Sequence, residues 1–167
     1  DAEEYNTVTL LRNPLSLFRS GFRFTNALRE REGELRYTVK GYLKIHSNIM
    51  TKMLTGTLFN AEVDNDQWEM RLESAKRVLV EKVAFWGISD HWNATVCTFH
   101  KELNGPGPRP TEYVNTRPSS ALFKNDRQFT LEELALEKKR NAYDYKLFAW
   151  ALPLFKERAQ KVGCWED

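Results

Sequence analysis

Residues 7–22 leave little freedom in how this chain begins to fold. Residues 7–11 (TVTLL) are a short β-branched and aliphatic run with the composition of a buried strand. Arg12 closes the run, and Pro14 stands where a first helical turn tolerates a residue with no N–H. Leu15, Phe18 and Phe22 then recur at i, i+3 and i+7, one face of a helix. The unit is strand, Arg, turn, helix, with Ser20 on the second helical turn. A guanidinium at a strand tip, beside a helix N-terminus and a hydroxyl, suits an anion. The helix end carries partial positive charge and unpaired N–H groups, and Arg offers a planar fork of donors to phosphate oxygens. An ordinary strand–helix junction, with a surface Arg and a Ser bonded back to its own helix, has the same sequence pattern.

Composition narrows the classes. The 167 residues are 41% hydrophobic and 29% charged, enough for one domain with its own core. The net charge is only +2, so an anionic partner has to be held by a local cluster, and nothing points to nucleic acid. No run of 18 apolar residues is present, and no leader peptide is visible. The chain starts at Asp1 and reaches its first strand within seven residues, as expected of a segment cut from a longer protein. Cys97 and Cys164 either form one bridge in an oxidising compartment or remain two thiols. Asn93-Ala94-Thr95 matches the acceptor pattern for N-glycosylation, in keeping with a secretory location. Cys97, His100 and nearby His91 are too few ligands for zinc, and no metal site is expected.

The first helix is expected to continue to about Arg31, and the Arg/Glu-rich stretch 23–39 reads as a solvated face broken at Gly33. Arg19, Arg23 and Arg29 could extend a basic strip toward an acidic substrate. Residues 39–55 read as one second helix, ended by Gly56, with its methionines as core filler and His46 as a partly exposed structural residue. A third helix is expected from Asp66 to Lys82, with Trp68, Met70, Leu72, Ala75, Val78 and Leu79 as its apolar set. Residues 83–88 read as a second buried strand, and Ser89 or Asp90 as the cap of a helix running to about Leu103. Residues 104–128 have loop chemistry, and a loop of that length inside a domain is often a binding loop. A capping box, Thr130 to Glu133, opens a helix to about Arg140. Asn141 is expected to cap the last helix, with Asp144 as its capping partner. The buried stripe of that helix is expected at Tyr145, Phe148, Ala149, Leu152, Phe155 and Ala159, and Pro153 should kink or end it.

Four ordered segments resemble sulfotransferases that use 3′-phosphoadenosine 5′-phosphosulfate. Leu11-Arg12-Asn13-Pro14, followed by Phe18, Ser20 and Phe22, resembles the family's 3′-phosphate-binding strand–helix segment. Asn13 stands where Asp is usual there, and Leu17 where many members carry a second Arg. Residues 46–56, ending Leu54-Thr55-Gly56, resemble a second element found in carbohydrate sulfotransferases. Phe85-Trp86-Gly87-Ile88-Ser89-Asp90 is similar to the family's Phe-Gly-Ile/Leu-Thr/Ser-Asp/Glu strand end, with Trp86 inserted. Asn141, Asp144, Leu147 and Phe148 resemble its C-terminal helix. Within the long loop, Val114-Asn115-Thr116-Arg117 resembles the segment that closes over the nucleotide.

The resemblance implies an α/β, P-loop-like sulfotransferase fold: a small, mainly parallel sheet flanked by helices, in one truncated domain over residues 1–167. The first strand and the phosphosulfate loop with its Lys, together with the catalytic base, would precede these residues. It implies Arg12, Ser20, Thr116 and Arg117 as donor-binding residues, and no catalytic residue within the chain. The donor nucleotide would be the only cofactor, with no metal. The acceptor would be a glycan or glycolipid hydroxyl, with heparan sulfate 2-O- and galactose-3-O-sulfotransferases as the types most resembled. The parent would be a type II membrane protein facing the Golgi lumen. A non-enzymatic helical interaction domain, or another phosphate-binding α/β transferase, is the alternative.

Overall fold

The computed structural model describes residues 7–114 and 127–165. Strand β1 (Val8–Leu11) leads into α1 (Pro14–Arg31), followed by α2 (Val39–Ile45), α3 (Ile49–Leu54) and α4 (Trp68–Glu81). Strand β2 (Phe85–Ile88) precedes α5 (Trp92–Glu102), and α6 (Leu131–Arg140) and α7 (Ala142–Lys161) complete the described chain. The two strands pair in parallel, Val8 opposite Phe85 and Leu11 opposite Ile88. The class is therefore α/β with a small parallel sheet, as the sequence led one to expect.

The main core lies between β2 and helices α3, α4, α5 and α7. Leu43, Ile88, Leu147, Ala151, Phe155 and Ala159 are wholly inaccessible, and all but Leu43 belong to this core. A second cluster joins α1 to α2 and to the start of α6 through Phe18, Phe22, Tyr42 and Phe129. The rings of Phe22 and Tyr42 meet edge-on, with centroids 5.4 Å apart, a favoured aromatic geometry. Burial pushes the Tyr42 hydroxyl up to about 12, against a hydrogen bond with Thr25 that lowers it.

Several local expectations need correction. β1 is not a fully buried strand: Val8 and Leu10 are 48% and 45% exposed, and only Leu11 is sealed. Among the described residues it pairs with β2 alone, so one of its edges stays unpaired. Residues 39–55 are two helices, because Asn48 takes a left-handed conformation (φ 50°) that stops the helical run; Asn tolerates that region better than most residues. Met53 and Met70 are exposed, and only Met50 fills the core.

Gly56 does end α3 as expected, at φ +69° with Thr57 N–H on the Lys52 carbonyl. Neither Ser89 nor Asp90 caps α5, and Asn141 makes no capping bond to α7. The buried stripe of α7 runs through Asp144, Leu147, Phe148, Ala151, Phe155 and Ala159, and Ala149 faces solvent. α7 continues unbroken through Pro153. That residue is exposed, so the carbonyl it leaves unpaired lies on the watered side. The capping box at Thr130 and Glu133 is present in both directions.

Candidate functional site

Ligands of parallel α/β sheets gather at the carboxyl ends of the strands. Here that edge holds Arg12 and Asn13 after β1, and Ser89 and Asp90 after β2. Arg12 is half-buried, its backbone N–H reaches the Met50 sulfur at 3.5 Å, and its guanidinium has no partner among the described residues. Asn13 ties the edge together. Its N–H donates to Asp90 Oδ2 (2.7 Å), and its Oδ1 accepts from the amides of Leu15 (3.1 Å) and Ser16 (3.2 Å). Pro14 has no N–H, and Leu17 N–H already donates to the Asn13 carbonyl. The amides of the first α1 turn are thus engaged, which leaves the Arg12 guanidinium and the Ser89 hydroxyl, buried with no partner among the described residues, as donors at this edge. The Asp90 carboxylate sets a negative charge at the same edge.

Ser20 is half-buried on the second turn of α1, about half a turn around the axis from Phe18. It therefore lies away from the Phe18–Phe22 face. Thr116 and Arg117 lie outside the described residues. The remaining arginines of the proposed basic strip differ among themselves. Arg29 is tied down by the Leu35 carbonyl (2.6 Å), Glu34 (2.7 Å) and the Tyr37 ring, whereas Arg19 is exposed.

Behind this edge runs a buried polar network that sequence reasoning reduced to a capping pair. Asp144, inside α7, accepts from Met50 N–H (3.1 Å), Thr51 N–H (2.9 Å) and the Thr51 hydroxyl (2.8 Å). Asn48 Oδ1 accepts from Tyr143 and Asp144 N–H, while Asn141 Oδ1 accepts from Asn48 N–H. Glu137 accepts from Asn141 Nδ2 and the Tyr145 hydroxyl, both at 2.9 Å. Burial pushes the Asp144 carboxyl up to about 6, against the hydrogen bonds from Thr51 and Met50 that lower it. Burial likewise lowers the Lys52 ammonium, whose Nζ donates to the Phe59 carbonyl. A small opening beside Asp144, toward Tyr42 and His46, holds ≈ 10 Å³, barely room for a water. The network is a brace between helices, with no space for a ligand.

An open groove of ≈ 790 Å³ starts at Asp90. It follows the start of α5 through Trp92, Asn93 and Cys97, and is closed by Tyr113 and by Cys164 and Trp165. Cys97 and Cys164 are joined in a disulfide that settles the alternative the sequence left open. The His91 and Trp165 rings lie 4.6 Å apart, and Trp92 Nε1–H donates to the Glu112 carbonyl (2.6 Å). No residue of α1 lines this groove. Trp92, Tyr113 and Trp165 come from three separate segments, so no local sequence pattern could have assembled them.

Over 98 residues, 58% of its length, the chain is 32% identical to heparan-sulfate 6-O-sulfotransferase 2 of Danio rerio. This is a likeness to a sulfotransferase. The matched residues make up 19% of that protein, so the chain spans about a fifth of the relative's length. The relative's name gives a 6-O position on heparan sulfate, whereas the motifs above resemble the 2-O and galactose-3-O types. What the likeness supports is the broader sulfotransferase family. No family model matches the chain, and no solved structure does. No group of three or more His, Cys, Asp or Glu among the described residues could hold a metal ion. No described helix is long and apolar enough to cross a membrane.

Proposed function

We propose that this chain is part of a sulfotransferase that draws its sulfuryl group from 3′-phosphoadenosine 5′-phosphosulfate, and that these residues bind the donor's 3′-phosphate. The observation that carries the reading is the Arg12 guanidinium, without a partner among the described residues, at the carboxyl edge of a parallel strand pair in a chain that is similar over 98 residues to a sulfotransferase. Arg12 would meet two phosphate oxygens with its fork of donors. Ser20 would add a hydroxyl from α1, and Thr116 and Arg117 would approach from the long loop. Asn13 and Asp90 hold the two strand ends in register by their 2.7 Å bond, which fixes where Arg12 leaves the sheet. The sulfuryl-transferring half of the site belongs to the parent protein, in a P-loop-like fold, and no catalytic residue is assigned here. The acceptor we propose is a glycan or glycolipid hydroxyl, and the location the Golgi lumen, with the parent anchored in the membrane.

Titration calorimetry with adenosine 3′,5′-bisphosphate tests the site. The chain should bind that nucleotide in preference to adenosine 5′-monophosphate, which lacks the 3′-phosphate. Arg12→Ala should weaken binding at least about tenfold, the loss expected on removing charge-assisted hydrogen bonds. Arg12→Lys should retain part of it. Equal affinity of wild type and Arg12→Ala would remove the assignment.

A further inference from the structure

The groove beside α5 brings together features that the proposed transfer chemistry does not use. Asn93, Ala94 and Thr95 form the chain's single Asn-x-Ser/Thr triplet, and the middle residue is not Pro. Asn93 is the second residue of α5, is exposed, and lines the groove. One helical turn later, Cys97 closes the disulfide with Cys164, and both cysteines line the same groove. A disulfide of this kind forms in an oxidising, secretory compartment, where asparagine-linked glycans are also attached. Trp92 is 41% exposed and Tyr113 is 42% exposed, and both lie along the walls with Trp165. Flat apolar rings with polar groups at their edges match the faces of a hexose, and the volume lies within the ~300–1,000 Å³ range of small-molecule sites.

We propose that Asn93 carries an N-linked glycan whose first N-acetylhexosamine lies in this groove, against Trp92 and Tyr113. In the transfer, Asn93 Nδ2 attacks the anomeric carbon of a lipid-diphosphate-linked oligosaccharide. The C–N bond forms as the bond from that carbon to the diphosphate oxygen breaks. The lipid diphosphate leaves with the electron pair, and the amide gives up one proton to base. No oxidant or reductant takes part.

Order of events is fixed by Thr95. In the folded chain its hydroxyl accepts from Ile88 N–H (3.0 Å) and donates to the Ile88 carbonyl (2.8 Å), buried beneath α5. The hydroxyl that the modifying enzyme must read is then hidden, so attachment precedes the docking of α5 on β2. Asn93 itself stays on the surface, where a glycan fits the finished fold. Asp90 borders both places, but no residue of α1 lines the groove, so the proposal does not require Arg12 to hold a nucleotide.

The test is secretion of the chain from a eukaryotic host, followed by intact-mass measurement before and after treatment with peptide-N-glycosidase. The chain should carry the mass of one glycan, absent in Asn93→Gln and kept in Thr95→Ser, which preserves both the triplet and the hydroxyl. A secreted, disulfide-bonded chain without that mass overturns the proposal. Seating is read separately, on protein trimmed by an endoglycosidase to a single sugar. Its Tm should lie about 2–4 °C above that of Asn93→Gln, and Trp92→Ala should erase the difference while keeping the sugar. Equal Tm values for the trimmed chain and Asn93→Gln would overturn the placement of the sugar in the groove.

Discussion

Asn48 and Asp144 cap each other's helices across the core. Asn48 Oδ1 accepts from Tyr143 and Asp144 N–H at the start of α7, while the Asp144 carboxylate accepts from Met50 and Thr51 N–H at the start of α3. Each helix thus satisfies its first-turn amides with a side chain from the other, more than ninety residues away in sequence. The usual cap comes from the residue preceding the helix. Here the capping bonds are long-range and tie α3 to α7.

Asn48→Ala should therefore be costly. It removes two capping bonds, leaves the half-buried Tyr143 amide and the buried Asp144 amide without that acceptor, and puts Ala at φ 50°. A loss of about 2–4 kcal/mol is expected from the unsatisfied amides plus backbone strain. Urea denaturation should show the midpoint falling with no change in slope. Asn48→Asp keeps an acceptor but sets a second carboxylate against Asp144, and should fare little better.

Acid should spare the Asp144 brace where it harms others. The folded-state carboxyl is pushed up to about 6 from an ordinary 3.8. Between those values the folded chain holds a proton that the unfolded chain has released, so stability falls as pH rises through that window. The contribution is fully present below about 4 and is lost by about 6, a difference of about 3 kcal/mol. Glu69 and Glu112 are shifted the other way, chiefly by Lys146 and by the Arg109 amide respectively, so their contributions fade as pH falls. Subtracting the stability profile of Asp144→Asn from that of wild type between pH 3.5 and 7 isolates the Asp144 part. A flat difference would contradict it.

Gly87 is a contact and not a hinge. A Cβ there would lie 2.3 Å from Thr95 Cγ2 and 3.0 Å from its hydroxyl. Thr95 cannot yield, because that hydroxyl holds both backbone groups of Ile88. Gly87→Ala should cost about 1–3 kcal/mol through overpacking, and Gly87→Ala with Thr95→Ser should recover part of it by removing the methyl. Thermal melts of the three chains check the order.

Reduction should weaken the fold substantially. The Cys97–Cys164 bridge closes a loop of 67 residues in sequence separation. Constraining an unfolded loop of that length stabilises by about 4 kcal/mol in the chain-entropy view. The double variant Cys97→Ser, Cys164→Ser should unfold at correspondingly lower urea. Adding reductant to wild type should reproduce its curve, while the variant itself should ignore reductant.

Much of the architecture was legible because it is written locally. The β1–Arg12–Pro14–α1 unit, the α4 repeat, the Gly56 stop and the Thr130 capping box all rest on neighbours within one or two turns. The break at Asn48 was invisible, since the apolar spacing runs on across 39–54 and the cause lies in Asn141, Tyr143 and Asp144. The same holds for Asn141, whose cap-like position suggested a local bond while its side chain reaches instead to Asn48 and Glu137.

The site divides along the same line. The strand, the guanidinium at its end and the helix after it follow from residues 7–22 alone, because β-branching, proline's fixed φ and apolar periodicity act over a few residues. Tertiary structure decided that Asn13 takes up the first amides of α1, that Asp90 meets it from the other strand, and that Cys97 pairs with Cys164 beside Trp92 and Trp165. Those outcomes depend on parallel pairing and helix docking between residues some seventy positions apart, where loop closure has to be repaid by burial before any contact forms.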